Sequence, residues 1–274
     1  MSVLTRPTGS GRAVVLRTWP SGETSVVASV LTEAHGLLRL VAKGARQSSS
    51  RLRPLVQPGR LVDLEFSLDP ARELQYLRGG SLSLDPLLGG ARLETTAYLQ
   101  AALETVDRCR PAGGHEPALF ALCHDFVRVL SCADAGREAA LFYAFEVALL
   151  DWYGVRPQLE ACVQCGRRAD ALDQRPAWLS PAAGGLVCAD CADESALAGA
   201  RPLPPETAAV WVELAGVPER WPDRVLPRAV ARDWGVVLHR FLEYHLPAYR
   251  LPAALDLLRT GPRTPGSTTA RRGP

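Results

Sequence analysis

The sequence predicts an α+β multidomain protein: a small N-terminal β-barrel, then an α-helical bundle that carries a cysteine-rich insertion. Three observations predict it. Up to about residue 85 the apolar residues fall in short, strand-like runs; after Gly89-Gly90 they recur with helical spacing; and four of the seven cysteines form two close pairs, Cys162-x2-Cys165 and Cys188-x2-Cys191. These changes place the barrel at 1–85, the helical bundle at 86–158 and 196–259, the insertion at 159–195 and a tail at 260–274. A chain of 274 residues is long enough for each part to bury a modest core.

Within the barrel segment, Arg12 to Trp19 and Glu23 to Thr32 are rich in β-branched residues and join through Pro20, Ser21 and Gly22, which predicts a hairpin. Gly36 to Ala42 supplies a third strand. Val62, Leu64, Phe66 and Leu68 alternate with Asp63, Glu65 and Ser67, the period of a strand buried on one face. Glu73 to Leu84 is the fifth, and Ser48 to Ser50 fall in a loop. Five short strands with almost no helix between them point to the five-stranded oligonucleotide-binding barrel, the OB-fold.

Leu93, Ala97, Leu103 and Val106 then define one helix, and Leu119, Leu122, Phe126, Val129 and Leu130 a second, with Pro111, Gly113 and Gly114 between them. A third runs from about Glu138 to Trp152 and is apolar all round, so it belongs at the centre of the bundle. Glu146 within it is expected to point to solvent; pairing with an Arg of a neighbouring helix is the alternative. Helical spacing returns over Glu206 to Leu214 and over Pro227 to Leu246, where Val230, Trp234, Val237, Leu238, Phe241 and Leu242 form a stripe. Residues 260–274 lack core-forming content and are expected to be a disordered basic tail.

At 47% hydrophobic and 22% charged, the composition is that of an ordinary globular protein. No apolar run approaches the ~20 residues of a membrane span, and Met1 to Ser10 lack the features of a secretory signal, so a cytoplasmic location is expected. The net charge is only +2, but residues 1–60 hold nine Lys/Arg against two acids, and their excess of seven is offset by an acidic remainder.

Two residues between ligands let a chain turn tightly enough for both thiolates to reach one tetrahedral ion. Gly166 follows the first cysteine pair and Gly184-Gly185 precede the second, offering the backbone freedom such turns use. Four thiolates close the coordination sphere, so one structural zinc ion per chain is expected, held by Cys162, Cys165, Cys188 and Cys191. The alternatives are a redox pair in each motif or two disulfides. Redox motifs of this kind stand singly beside a βαβ pattern, which this sequence lacks. Cys109, Cys123 and Cys132 are expected to be buried helix residues. No catalytic residues are expected: neither cysteine pair follows a proline, no His-x-Glu occurs, and the five histidines have no ligand spacing, which argues against a zinc deaminase.

Taken in order, these parts resemble the RecO family of bacterial DNA repair and recombination mediators. Leu31-Thr32-Glu33-Ala34-His35-Gly36 leading to Val41-Ala42-Lys43-Gly44-Ala45-Arg46 is similar to the family's "KGAR" strand end. So are Leu55 to Gly59; Phe145-Glu146 through Leu149-Leu150, Gly154 and Pro157; and the glycines beside the cysteine pairs. The resemblance covers about residues 10 to 250 and weakens around Trp19-Pro20-Ser21-Gly22-Glu23 and in the tail.

The resemblance implies a mediator that binds single- and double-stranded DNA and anneals complementary strands. With RecR it would assist RecA loading onto strands coated by single-strand-binding protein. No small-molecule substrate or membrane is implied. For phosphate contacts the expected residues are Arg39, Lys43, Arg46, Arg51 and Arg53, which flank the third strand and its loop. Trp19 or His35 would stack on a base, core packing being the alternative for Trp19. Trp234, Leu238, Phe241 and Arg240 are candidates for a groove that takes the C-terminal peptide of single-strand-binding protein, with core filling as the alternative. A zinc-ribbon protein adaptor without DNA binding is the rival reading.

Overall fold

The computed structural model describes residues 8–90, 92–109, 114–171, 175–204, 207, 210, 214–217 and 219–259. The Pro111 and Gly113 separators, most of the helix expected over Glu206 to Leu214, and the 260–274 tail lie outside the described residues.

Strands β1 (Thr8–Ser21), β2 (Ser25–Thr32), β3 (Gly36–Ala42), β4 (Leu61–Ser67) and β5 (Leu74–Leu84) close into a barrel in the order β1-β2-β3-β5-β4. Neighbours run antiparallel except β3 and β5, which pair parallel through Arg39 to Val41 and Leu74 to Tyr76. This is the OB-like closure expected from five short strands. Alternation does the sorting: Ala13, Val15, Ala28, Val30, Leu40, Val62, Leu64 and Phe66 fill the barrel interior. On β4, Asp63 and Glu65 are exposed between them.

The outer face of the first hairpin is also buried. Val14, Leu16 and Leu31, with Leu61, belong to a second core shared with the helices. Strand β1 therefore carries an unbroken buried run from Ala13 to Leu16 in place of alternation. A register shift between Val15 and Arg17 accommodates it. Two contacts join the barrel to the helices. The Ser29 hydroxyl donates to Asp107 at 2.7 Å. In the β2–β3 turn, Gly36 has φ +63, and a Cβ there would stand 2.0 Å from the Gly114 carbonyl oxygen, so only glycine permits the approach.

Helices α1 (Leu93–Cys109), α2 (Pro117–Ser131), α3 (Glu138–Trp152) and α4 (Arg228–His245) form the bundle, followed by the single turn α5 (Asp256–Arg259). Every residue of α3 from Ala140 to Leu150 is buried, as the all-round apolar pattern predicts for a central helix. The expectation for Glu146 is corrected: with no solvent-facing stripe on α3, it is fully buried, and its Oε1 lies 3.4 Å from His239 Nε2 of α4 rather than near an arginine. Glu138 is buried too, but satisfied: Arg92 donates to it at 2.8 Å, the Thr95 hydroxyl at 3.2 Å and the Gly136 N–H at 2.7 Å.

The peptide-groove expectation is corrected as well. Trp234, Leu238 and Phe241 are fully buried in the core shared with α1, α2 and α3, so among the described residues the α4 stripe fills the bundle, the alternative expected for it. Arg240 lies on the opposite, exposed face, 3.0 Å from Glu243. Of the three isolated cysteines, Cys109 and Cys123 are buried; Cys132 is exposed because it stands past the last turn of α2.

Between α3 and α4 a three-stranded sheet of β6 (Ala177–Ser180), β7 (Gly185–Cys188) and β8 (Arg201–Pro202) is ordered β7-β6-β8. Leu159, Leu179, Leu186 and Leu203 from this region join the helical core. No helix among the described residues is long and apolar enough to cross a membrane.

Candidate nucleic-acid interface and metal centre

Half of the ten cations described in the barrel segment are paired with a carboxylate where they stand. Arg12 pairs with Glu33, Arg39 with Glu73, Arg60 with Asp85 at 2.6 Å and Arg72 with Asp69 at 3.1 Å, while Arg17 reaches Asp107 at 4.0 Å. The hydrogen bond from Arg12 holds the Glu33 carboxyl below its ordinary range. Among the described residues, Lys43, Arg46, Arg51, Arg53 and Arg78 have no carboxylate within ion-pair distance. Four of these five lie in one stretch between β3 and the 3-10 turn Arg53–Val56. All five are exposed. Their field is therefore available to a polyanion, whereas that of Arg39 is largely cancelled by its partner.

The chain folds here through successive turns. Gly44 takes φ +72, Gln47 N–H donates to Gly44 O at 3.0 Å and Ser50 N–H to Gln47 O at 3.2 Å. Leu55 and Val56 then drop into the barrel interior and anchor the segment. Arg46 Nη1 donates to the carbonyls of Gly22 at 3.1 Å and Glu23 at 2.9 Å, tying the segment to the β1–β2 turn. Lys43 Nζ sits 4.8 Å over the ring of Tyr76 on β5.

The structure thus leaves Lys43, Arg46, Arg51 and Arg53 exposed along one stretch, with Arg46 and Arg53 lining a common cleft, and leaves Arg39 compensated. Trp19 is half-buried with the Arg17 guanidinium 6.0 Å from its ring, and His35 meets Phe66 edge-on at 5.6 Å. Sequence reasoning missed Arg78 and Tyr76. Alternation along β5 was the signal that could have marked Arg78 as outward-facing.

The four paired cysteines converge. The sulfurs of Cys162, Cys165, Cys188 and Cys191 all lie within 4.8 Å of one another, and Cys165 and Cys188 are 3.7 Å apart. Bonds of about 2.3 Å to one tetrahedral ion would separate two thiolates by roughly 3.8 Å, so the set fits one ion. The first knuckle closes with Gly166 N–H donating to Cys162 O at 2.9 Å and Cys162 N–H to Arg167 O at 2.8 Å. The second begins where β7 ends at Cys188 and turns through Ala189–Cys191. Val163 N–H donates to Leu186 O at 2.9 Å and locks one knuckle against the other. Gly185 is required at the crossing, because a Cβ there would stand 2.3 Å from Gln158 O.

Burial opposes ionisation of Cys162, but the backbone N–H groups of Cys188, Cys165 and Gln164 outweigh it and bring the thiol down to about 6. Hydrogen bonding with the sulfurs of Cys165 and Cys188 pushes Cys191 up to about 12. Outside the sulfurs, Asp190 accepts from Arg167 at 2.5 Å and from Arg175 at 3.0 Å, and these bonds hold its carboxyl below the usual range. All four thiols are unbridged, and they could hold a metal ion.

Both halves of this architecture have counterparts among known proteins. Residues 8–83 match the family model described as recombination protein O N terminal, and residues 91–253 the one described as recombination protein O C terminal. The DNA repair protein RecO of Desulfosudis oleivorans is 30% identical over 251 residues, 88% of this chain and 94% of the relative. That of Desulforudis audaxviator is 31% identical over 253 residues, 90% of this chain and 94% of the relative. That of Cutibacterium acnes is 32% identical over 193 residues, 68% of this chain and 74% of the relative. With an OB-like barrel, a helical bundle and a four-cysteine cluster in the order that both family models span, the chain belongs to the RecO family of DNA repair proteins.

Proposed function

We propose that this protein is a recombination mediator that holds DNA on the N-terminal barrel and performs no covalent chemistry. It binds single- and double-stranded DNA, anneals complementary strands and, with RecR, assists RecA loading onto strands coated by single-strand-binding protein, working in the cytoplasm at the nucleoid. We read 1–85 as the nucleic-acid-binding domain, and 86–158 with 196–259 as the helical domain that props it. The cysteine segment 159–195 holds one structural zinc ion; four thiolates suit zinc and leave no open position for catalysis.

The observation that carries this reading is the cluster of uncompensated cations, Lys43, Arg46, Arg51 and Arg53, on an OB-like barrel whose other arginines are largely paired. Cations without partners exchange condensed counterions for phosphates, which makes affinity fall steeply with salt. The test is fluorescence anisotropy with a labelled oligonucleotide across a salt series. Each of Lys43→Ala, Arg46→Ala and Arg53→Ala should lower the slope of log K against log salt by about 1, and Arg39→Ala should change it less. No binding even at low salt would overturn the reading in favour of a protein adaptor, and salt-independent binding, or Arg39→Ala exceeding the other three, would remove this cluster as the phosphate track.

A further inference from the structure

A cleft of about 250 Å³ opens between the end of the first hairpin and the segment that follows β3, lined by Thr18, Val26, Ala45, Arg46, Arg53, Val56 and Gln57. Its walls have two characters. Val26, Ala45 and Val56 form an apolar floor, with Ala45 and Val56 buried. Thr18 faces the same side of the sheet as Ala28, its cross-strand partner in the barrel interior, so the cleft is the open mouth of the barrel. The rim carries two guanidinium groups, a hydroxyl and an amide. Arg46 is fixed there by its bonds to Gly22 O and Glu23 O, and the Gln57 amide is fixed by donating to Arg53 O at 3.2 Å.

An apolar floor beneath a cationic rim suits a ligand that is flat and apolar at one end and anionic at the other. The cleft is smaller than the roughly 300 Å³ at which pockets for whole drug-sized molecules begin, which limits the inserted part to one ring system. A nucleotide has that construction: the base enters, and the flanking phosphates stay at the rim. We propose that this cleft receives one unstacked base of single-stranded DNA, with Arg46 and Arg53 on the adjoining phosphates and the Gln57 amide at the base edge. The proposal rests on the DNA-binding reading above and adds strand selectivity to it. In a duplex, a base must first be unstacked and unpaired at a cost of a few kcal/mol, so only a single strand fills the cleft without that cost.

The test uses the full chain and three probes: labelled oligodeoxythymidine, the same length of strand with abasic sites, and a blunt duplex. Thr18→Trp places an indole in the cleft from a half-buried position and leaves both arginines untouched. It should weaken oligodeoxythymidine binding about tenfold, a loss typical of one base contact, and leave duplex binding within about twofold. The unaltered protein should prefer the oligodeoxythymidine to the abasic strand, and Thr18→Trp should erase that preference. Gln57→Trp, from an exposed position, repeats the test should Thr18→Trp fail to fold by circular dichroism. Equal losses on all three probes, or no loss on the single strand, would overturn the cleft. Arg46→Glu with Arg53→Glu separates the two proposals. If this double reversal weakens all DNA binding while the tryptophan variants do nothing, only the cleft fails; if it also does nothing, the DNA-binding reading fails.

Discussion

Glu146 and His239 meet in the middle of the helical core, 3.4 Å apart, with the carboxylate wholly out of water and the imidazole nearly so. Nothing in the local pattern marks Glu146 as buried. It sits one turn from Phe142 and Leu150 on a helix whose every face is covered. Removing one of two buried polar groups leaves the other without its polar neighbour, at a cost of roughly 1 to 3 kcal/mol. His239→Leu should therefore destabilise the protein by about 1 to 3 kcal/mol in urea unfolding, and adding Glu146→Leu should recover a substantial part. Equal and additive losses would show that the two side chains do not interact.

His245, at the end of the same helix, packs against Phe241 with tilted rings whose centroids are 4.4 Å apart. Burial lowers its pKa below the ordinary 6.5, partly opposed by the Pro181 carbonyl. The sign follows from linkage. An unfolded chain takes up the proton at about 6.5 while the folded one resists, so this residue's contribution is complete above that pH. It is lost progressively as pH falls from the unfolded value to the lower folded one. His245→Gln should flatten the stability profile across that window, measured by urea midpoints from pH 7.5 to 5. An unchanged slope would contradict the assignment.

At the scale of elements, the cysteine segment is a short sheet too small to hold itself. Strands β6 and β7 contribute four residues each and β8 two. What closes it is convergence of the sulfurs on one side and insertion of Leu159, Leu179, Leu186 and Leu203 into the helical core on the other. Purified protein should contain one zinc ion per chain by elemental analysis, and Cys188→Ser should abolish it. Chelation should lower the melting temperature, because binding free energy of a structural ion is folding free energy. It should leave most helical circular dichroism in place at low temperature, since α1 to α4 bury their own faces. Full thermal stability in metal-free protein would remove the structural role.

The elements also show where sequence patterns are informative. The third helix was legible to the residue, because a run apolar on all faces has one place to go. Strand β4 was legible because one face is wet and one dry, so alternation survives. Strand β1 was harder to delimit and extends to Thr8–Ser21, beyond the expected Arg12 to Trp19. The added residues, Thr8 to Gly11 with Pro20 and Ser21, have no large apolar side chain among them, so no hydrophobic period announces a strand there. The stripe on α4 was equally visible, but a stripe states only that something covers it. Here α1, α2 and α3 do.

Across the whole molecule, two cores meet at the first hairpin: one inside the barrel, the other running from its outer wall through the bundle to the cysteine segment. A rigid seat for the barrel follows from this, since Val14, Leu16 and Leu31 cannot leave the helices without exposing apolar surface. The cationic stretch lies on the barrel's rim, where Leu55 and Val56 anchor it from within. By itself the sequence determined the barrel, the bundle, the grouping of the four paired cysteines and the basic character of the first sixty or so residues. These depend on periodicity, on spacing along a short turn and on composition, all of which are local. Only the tertiary structure decided which cations remain free, that Glu146 lies buried against His239, and that the α4 stripe is core. Each of these depends on residues far apart in the chain, and pairing and burial are properties of what packs opposite a side chain.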